Sequence, residues 1–320
     1  MRAYQIDSFT TPALLREVAV PDPAPGQVRL RIQACGLNFA DTLMLQGKYQ
    51  ERPTPPFTLG MEVAGVVDAL GPGVASPAPG TRVTVFASQG GLAEAGCFDA
   101  QACIPLPDNM PFAEAAAFLV TYGTAHLALD HRARLRPGET LLVLGAAGGV
   151  GLAAVEVGNH MGARVIASAR GPDRLAIAAA AGADHLIDSE APDLRATLKA
   201  MGGVDVVFDA VGGPAFSEAL RAAKPEGRLL PIGFAGGEVP QIPANLLLVK
   251  NLTVIGVYWG AYAKFAPAIL NASLATLFDW YAAGRVKPHI SHQLPLARTA
   301  EAIDLLRTRR ATGKVVVTMP

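Results

Sequence analysis

Long apolar stretches are missing from this sequence. No uninterrupted run approaches the roughly 18 residues that a membrane-spanning helix needs, and the opening residues MRAYQIDSF lack the charged start and apolar core of an export signal. A soluble, cytoplasmic protein is expected. An excess of one charge is missing too: 27 Lys plus Arg face 27 Asp plus Glu, with no basic run of five or more. The primary structure therefore gives no sign of nucleic acid or an anionic membrane as partner, and favours small-molecule chemistry. Cysteine is scarce. Cys35, Cys97 and Cys103 cannot all pair and match no zinc-ribbon spacing, which excludes a disulfide framework and suits reduced thiols. Neither G-x-S-x-G nor H-E-x-x-H occurs, so hydrolytic chemistry has no foothold.

What is present is enough for two cores, since 51% of the 320 residues are hydrophobic. From Met1 to about Ala125 the pattern is strand-like. GQVRLRIQACGLN sets Val28, Leu30, Ile32 and Ala34 against polar neighbours, the period of a half-buried strand, and EVAGVVDAL and TRVTVFAS are further strands. Proline clusters at 21–25, 53–56 and 77–79 break these runs with irregular loops. After Pro137-Gly138 the texture changes to TLLVL, RVIASA, HLID, VDVVFDAV, GRLLPIG and LTVIGVY, separated by alanine-rich amphipathic segments. Runs apolar on both faces, alternating with helices, predict a parallel six-stranded sheet covered on two sides. A helical stretch over 263–284, the segment SHQLPL, a helix near 298–309 and a last strand KVVVT close the chain. The expected division is an α/β fold: a mainly antiparallel β domain over 1–124 and 263–320, and a doubly wound parallel sheet over 125–262.

The first parallel strand runs into Ala146-Ala147-Gly148-Gly149-Val150-Gly151, where a helix opens with Val150, Ala154, Val157 and Met161 at helical spacing. Small residues there allow a tight turn, and free N–H groups at a positive helix end suit a pyrophosphate. Ala146 stands where a strict G-x-G-x-x-G has glycine, so either a dinucleotide site or a close-packed strand–helix turn fits the spacing. The end of the second strand discriminates between cofactors. Ala169 occupies the place of the acid that binds an adenosine ribose, flanked by Ser168 and Arg170, with Arg174 one turn further on. Two charge-assisted hydrogen bonds of roughly 1.5 to 3 kcal/mol each, discounted for solvent, favour NADP(H) over NAD(H) about ten- to a hundredfold. Solvated helix-start residues are the alternative reading of both arginines.

Taken together, ACGLNFADTLMLQGKY, PFTLGMEVAGVV, GAAGGVG and ATGKVVV resemble the medium-chain dehydrogenase/reductase superfamily, more narrowly its zinc-free quinone oxidoreductase (zeta-crystallin-like) branch. The resemblance implies a Rossmann sheet joined to a GroES-like domain, and NADPH as cofactor. Zinc-dependent members have a cysteine ligand where Asn38 stands and a histidine ligand where Met61 precedes Glu62. Neutral asparagine and methionine cannot replace a thiolate and an imidazole on zinc. No metal is expected, and Glu62 becomes a hydrogen-bonded buried acid.

The same resemblance assigns roles by position. It puts Asn38 beside the nicotinamide as a donor to ribose or substrate oxygen, against a plain loop-capping role. Tyr49 overhangs the pocket, its hydroxyl on the acceptor carbonyl or simply packed, while Asp41 pins the loop. Thr124 touches the nicotinamide side. Ala147, Gly148, Gly149 and Val150 hold the pyrophosphate, and Ser168, Arg170 and Arg174 the adenosine end. Ser189 stands where relatives often have a tyrosine near the adenosine phosphate. Val211 lies near adenine, Gly233 and Phe234 near the nicotinamide ribose, and Val257 with Tyr258 along the nicotinamide amide. Arg310 and Lys314 match basic residues that approach the cofactor.

Without a Lewis acid to hold an alkoxide, hydride transfer to an already polarised acceptor remains: a quinone or an α,β-unsaturated carbonyl. An enoyl-thioester reductase uses the same geometry, and a non-catalytic NADPH-binding protein, crystallin-like or regulatory, is the reading from a different class. The sixth parallel strand, Leu252 to Tyr258, is a sheet edge that calls for a cover, and in relatives it pairs with its copy, so a homodimer is expected.

Overall fold

A computed structural model describes residues 1–320, and the chain divides into two compact units, residues 1–120 with 287–320, and residues 121–286.

The first unit is mainly antiparallel. A small sheet orders Leu14–Glu17, Arg2–Ile6 and Phe57–Thr58. The larger sheet runs Ile290–Pro295, Lys314–Thr318, Gln27–Leu37, Glu62–Leu70, Arg82–Phe86 and Ile104–Pro105, and only its first pair is parallel. Gln27–Leu37 organises the sheet. One of its edges pairs throughout with Glu62–Leu70; on the other, its first half pairs with Ala95–Asp99 and its second with Lys314–Thr318. The predicted alternation holds from Val28 to Ala34, after which Cys35, Gly36 and Leu37 are all buried. The reason is close packing on both faces: a Cβ on Gly36 would lie 1.7 Å from the Ala116 carbonyl oxygen. That approach brings the segment ending at Val120 against the strand end where the polar cluster described below is built.

In the second unit, a six-stranded parallel sheet orders His185–Asp188, Arg164–Ala169, Thr140–Leu144, Val204–Asp209, Ala223–Pro231 and Thr253–Val254. Every residue of Thr140–Leu144 is buried, as a central strand covered on both faces requires. Helices Gly149–His160, Gly171–Ala180, Leu194–Ala200 and Gly213–Ala222 follow successive strands, the doubly wound pattern.

Two expectations need correction. The segment from 263 to 286 belongs to the second unit, because helix Pro267–Ala282 packs there: Trp280 meets the rings of His126 and His160 edge-on at 5.2 and 4.1 Å, and His126 Nδ1 bonds Ser273 Oγ at 2.8 Å. The edge strand expected over Leu252–Tyr258 is only Thr253–Val254. Its single neighbour runs out: Ile255 N–H reaches the Leu229 carbonyl, and two residues further along that neighbour stands Pro231, which has no N–H to give.

Candidate functional site

At the carboxyl ends of the parallel strands the small-residue loop takes the form its composition requires. Gly145 has φ +75°, and a Cβ on Gly151 would stand 2.2 Å from the Gly145 carbonyl oxygen, so helix and turn meet only without side chains. Gly145 and Ala146 donate their N–H groups to the Ser168 carbonyl at 3.1 and 3.0 Å, which fixes the loop to the end of the second strand. Helix Gly149–His160 begins at an exposed Gly148 with no side-chain cap, leaving first-turn N–H groups for a ligand. Ala147 is buried, and Gly149 and Val150 half-buried, at this turn.

The other candidate residues of this unit lie on its loops and helices. Arg170 precedes helix Gly171–Ala180, and its Nε lies 3.1 Å from Glu190 Oε1 with both side chains more than half exposed; Arg174 is half-buried in that helix. Ser189 is exposed and tied by its N–H to the Ala169 carbonyl. Val211 packs against Gly145, where a Cβ would meet its Cγ2 at 2.9 Å. Gly233 and the exposed Phe234 follow strand Ala223–Pro231. Val257 and the exposed Tyr258 lie beyond the last strand, and Thr124 is buried in helix Leu119–His126.

Sequence reasoning missed Asp209 here. Fully buried at the end of its strand, it accepts N–H bonds from Val211 and Gly212 at 2.8 to 3.0 Å. Burial pushes its carboxyl up, and these N–H groups oppose that rise. The signal was an acid closing an otherwise apolar strand, VDVVFDAV.

In the first unit, four polar side chains from three distant segments share one buried cluster: Asn38, Asp41, Glu62 and Lys314 are 9, 0, 0 and 3% exposed. Lys314 Nζ donates to Glu62 Oε2 at 2.7 Å and to Asn38 Oδ1 at 2.8 Å. Asn38 Nδ2 donates to the same Glu62 oxygen at 3.0 Å, with a long contact to the Gly36 carbonyl at 3.4 Å. The Val120 N–H supplies the other Glu62 oxygen at 3.0 Å. Asp41 Oδ2 accepts the Asn38 N–H at 2.7 Å, fixing the start of helix Phe39–Met44, while its Oδ1 has no partner. Burial pushes the Asp41 carboxyl up to about 7 against the lowering effect of that N–H and of Lys314, and pushes the neighbouring Cys35 thiol well up. Tyr49 is half-buried and packs on the core of this unit. The geometry thus ties Lys314 to Glu62 and Asn38.

This cluster does not fit zinc. Its would-be ligand positions hold a neutral amide and the Met61 thioether, and a lysine ammonium bonds both Asn38 and Glu62. No group of three His, Cys, Asp or Glu side chains is arranged to hold a metal ion.

Two families of known proteins match the chain in the same order as its motifs: the alcohol dehydrogenase GroES-like domain over residues 24–108 and zinc-binding dehydrogenase over 149–273. Quinone oxidoreductase-like protein 2 of Bos taurus is 40% identical over 99% of this chain and 92% of its own length. The quinone oxidoreductase of Thermus thermophilus, solved also with NADPH, superposes with a TM-score of 0.87 at 37% identity over 99% of this chain and 100% of its own. A mycobacterial protein solved with NADPH gives 0.91 at 28% identity over 99% and 100% of the two chains. With the glycine turn and the amide and thioether at the zinc-ligand positions all in place, the chain belongs to the medium-chain dehydrogenase/reductase superfamily, in its quinone oxidoreductase branch.

Proposed function

We propose that the protein is a zinc-independent oxidoreductase that uses NADPH to reduce quinones or α,β-unsaturated carbonyl compounds. The observation that carries this reading is the buried Lys314–Glu62–Asn38 cluster, an ammonium held where a Lewis acid would need thiolate and imidazole. The nicotinamide supplies the hydride. What the chain adds is orientation, worth several kcal/mol when reacting groups are aligned. The carbonyl of the Asn38 amide is held by Lys314 and one N–H by Glu62, so only the N–H with the 3.4 Å contact to Gly36 is left to turn toward an acceptor oxygen. Tyr49 is the second side chain we assign to that oxygen.

Preference for the phosphorylated cofactor follows from magnitudes. An exposed ion pair such as Arg170–Glu190 is worth at most about 1 kcal/mol, whereas a 2′-phosphate brings about two negative charges to the same guanidinium and stays the stronger partner after the same solvent discount. A 2′-phosphate therefore displaces Glu190 from Arg170.

The reading also includes a homodimer. The sheet edge stops at Val254 with the following segment outside the ladder, and Leu248 and Val249 beside it are 77 and 67% exposed. A second copy paired at that edge would cover both. A monomer by light scattering at micromolar concentration would remove this part.

The test is steady-state NADPH oxidation against simple quinones, small enones and crotonyl-type thioesters, repeated with NADH. Turnover of quinones or enones is expected. Turnover of thioesters alone would replace the substrate class, and cofactor binding without turnover of any acceptor would make the protein a binder.

A further inference from the structure

At the amino ends of strands Val204–Asp209 and Ala223–Pro231, opposite the glycine turn, lies an open depression of about 500 Å³ whose lining includes Arg195, Lys199, Arg221, Lys224 and Lys250 and no carboxylate. Six strand residues at about 3.3 Å each separate it from the carboxyl end of the sheet, so a molecule there is not the dinucleotide. We propose that this groove is a binding site for a multiply charged, phosphate-bearing anion.

Three of the cations are anchored. Lys224 Nζ bonds Asp205 Oδ2 at 2.7 Å, Arg221 Nη1 bonds the Ser217 carbonyl at 3.1 Å, and Lys250 Nζ bonds the Arg221 carbonyl at 3.0 Å. Arg195 and Lys199 stand one turn apart on helix Leu194–Ala200, exposed and with no acidic partner. The groove thus has fixed cations, whose ordering cost is already met by the fold, and two exposed ones that a ligand would engage.

The ordinary role for basic residues here is compensation of helix carboxyl ends, three of which finish near the groove. That role is too small. Each helix end carries at most about half a negative charge, and Asp205 adds one, so roughly two to three positive charges stay unbalanced. Lys250 registers the excess. Its pKa is lowered by burial first and then by Lys199 and Arg195. A phosphate-bearing anion removes this repulsion and takes charge-assisted bonds from five donors, and Leu246 gives the groove an apolar wall.

With saturating NADPH present to occupy the glycine turn, the test titrates sodium tripolyphosphate calorimetrically into the full chain, into Arg195→Ala/Lys199→Ala, and into Arg170→Ala/Arg174→Ala, which reports on the other end of the sheet. Several charge-assisted bonds predict a dissociation constant of about 100 μM or tighter at low ionic strength. It should weaken at least tenfold in the first variant, stay unchanged in the second, and weaken with salt. A parallel sedimentation with phosphatidylcholine vesicles containing phosphatidic acid, a phosphomonoester lipid, identifies the source. Tripolyphosphate binding without vesicle binding assigns a soluble ligand, and vesicle binding lost in the first variant assigns a lipid headgroup. No binding of either, binding that survives Arg195→Ala/Lys199→Ala, or binding lost only in Arg170→Ala/Arg174→Ala overturns the proposal.

Discussion

Lys314 and Lys199 carry the same ammonium in opposite settings. Lys314 is buried in the first unit and satisfied by Glu62 and Asn38; Lys199 stands exposed in the second, facing other cations. Burial explains the difference. A buried ion without a partner costs several kcal/mol, so an interior charge comes with its complement built in. An exposed charge is hydrated, and crowding several together costs only tenths of a kcal/mol per pair, which leaves a fold free to keep a surplus where a ligand uses it.

The most severe way to break the comparison is to remove the interior cation. Lys314→Met strands the Glu62 carboxylate, and a loss of about 3 to 5 kcal/mol in urea unfolding is expected. Adding Glu62→Gln should return much of it, and strictly additive losses would show that the pair is not coupled. Asp41 sharpens the same point through pH. Its folded pKa of about 7 lies above the unfolded value near 3.9, so its contribution is fully present below about pH 4 and lost as pH rises through about 7. Asp41→Asn keeps the acceptor for the Asn38 N–H and does not titrate; its stability relative to the parent should be higher at pH 8 than at pH 5, and an unchanged difference would contradict the burial argument.

On the exposed side, Arg170→Ala should narrow the NADPH-over-NADH preference by about tenfold, as one charge-assisted bond is worth; equal affinities in the parent would refute the phosphate role. The smallest effect is expected at the groove. Arg195→Ala relieves a like-charge pair one helical turn apart, and should stabilise by a few tenths of a kcal/mol at low salt, a gain that vanishes at high salt.

Much of the fold was legible because its signals are local. Apolar runs and helical spacing marked four of the six parallel strands at nearly their full length and the second half of a fifth, Ala223–Pro231, and the glycine turn fell where the sequence placed it. The last strand was misjudged because LTVIGVY has strand composition, while strand length depends on a neighbour that ends at Pro231. The domain boundary was misjudged for a related reason. Nothing in helix Pro267–Ala282 announces that Trp280 packs against His126 and His160. Glu62 was read as a buried acid, yet its partner in Lys314 was not.

The sequence by itself determined where the backbone bends, which strands are covered on both faces, and that residues 145–151 admit little besides glycine and alanine, since steric fit and periodicity act between near neighbours. Tertiary structure alone decided which charges meet. It joined Lys314 to Glu62 across 252 residues and gathered five cations scattered from Arg195 to Lys250 into one groove within a chain of zero net charge. Coulomb energy depends on distance through space and on the dielectric around it, and a residue's place in the chain specifies neither.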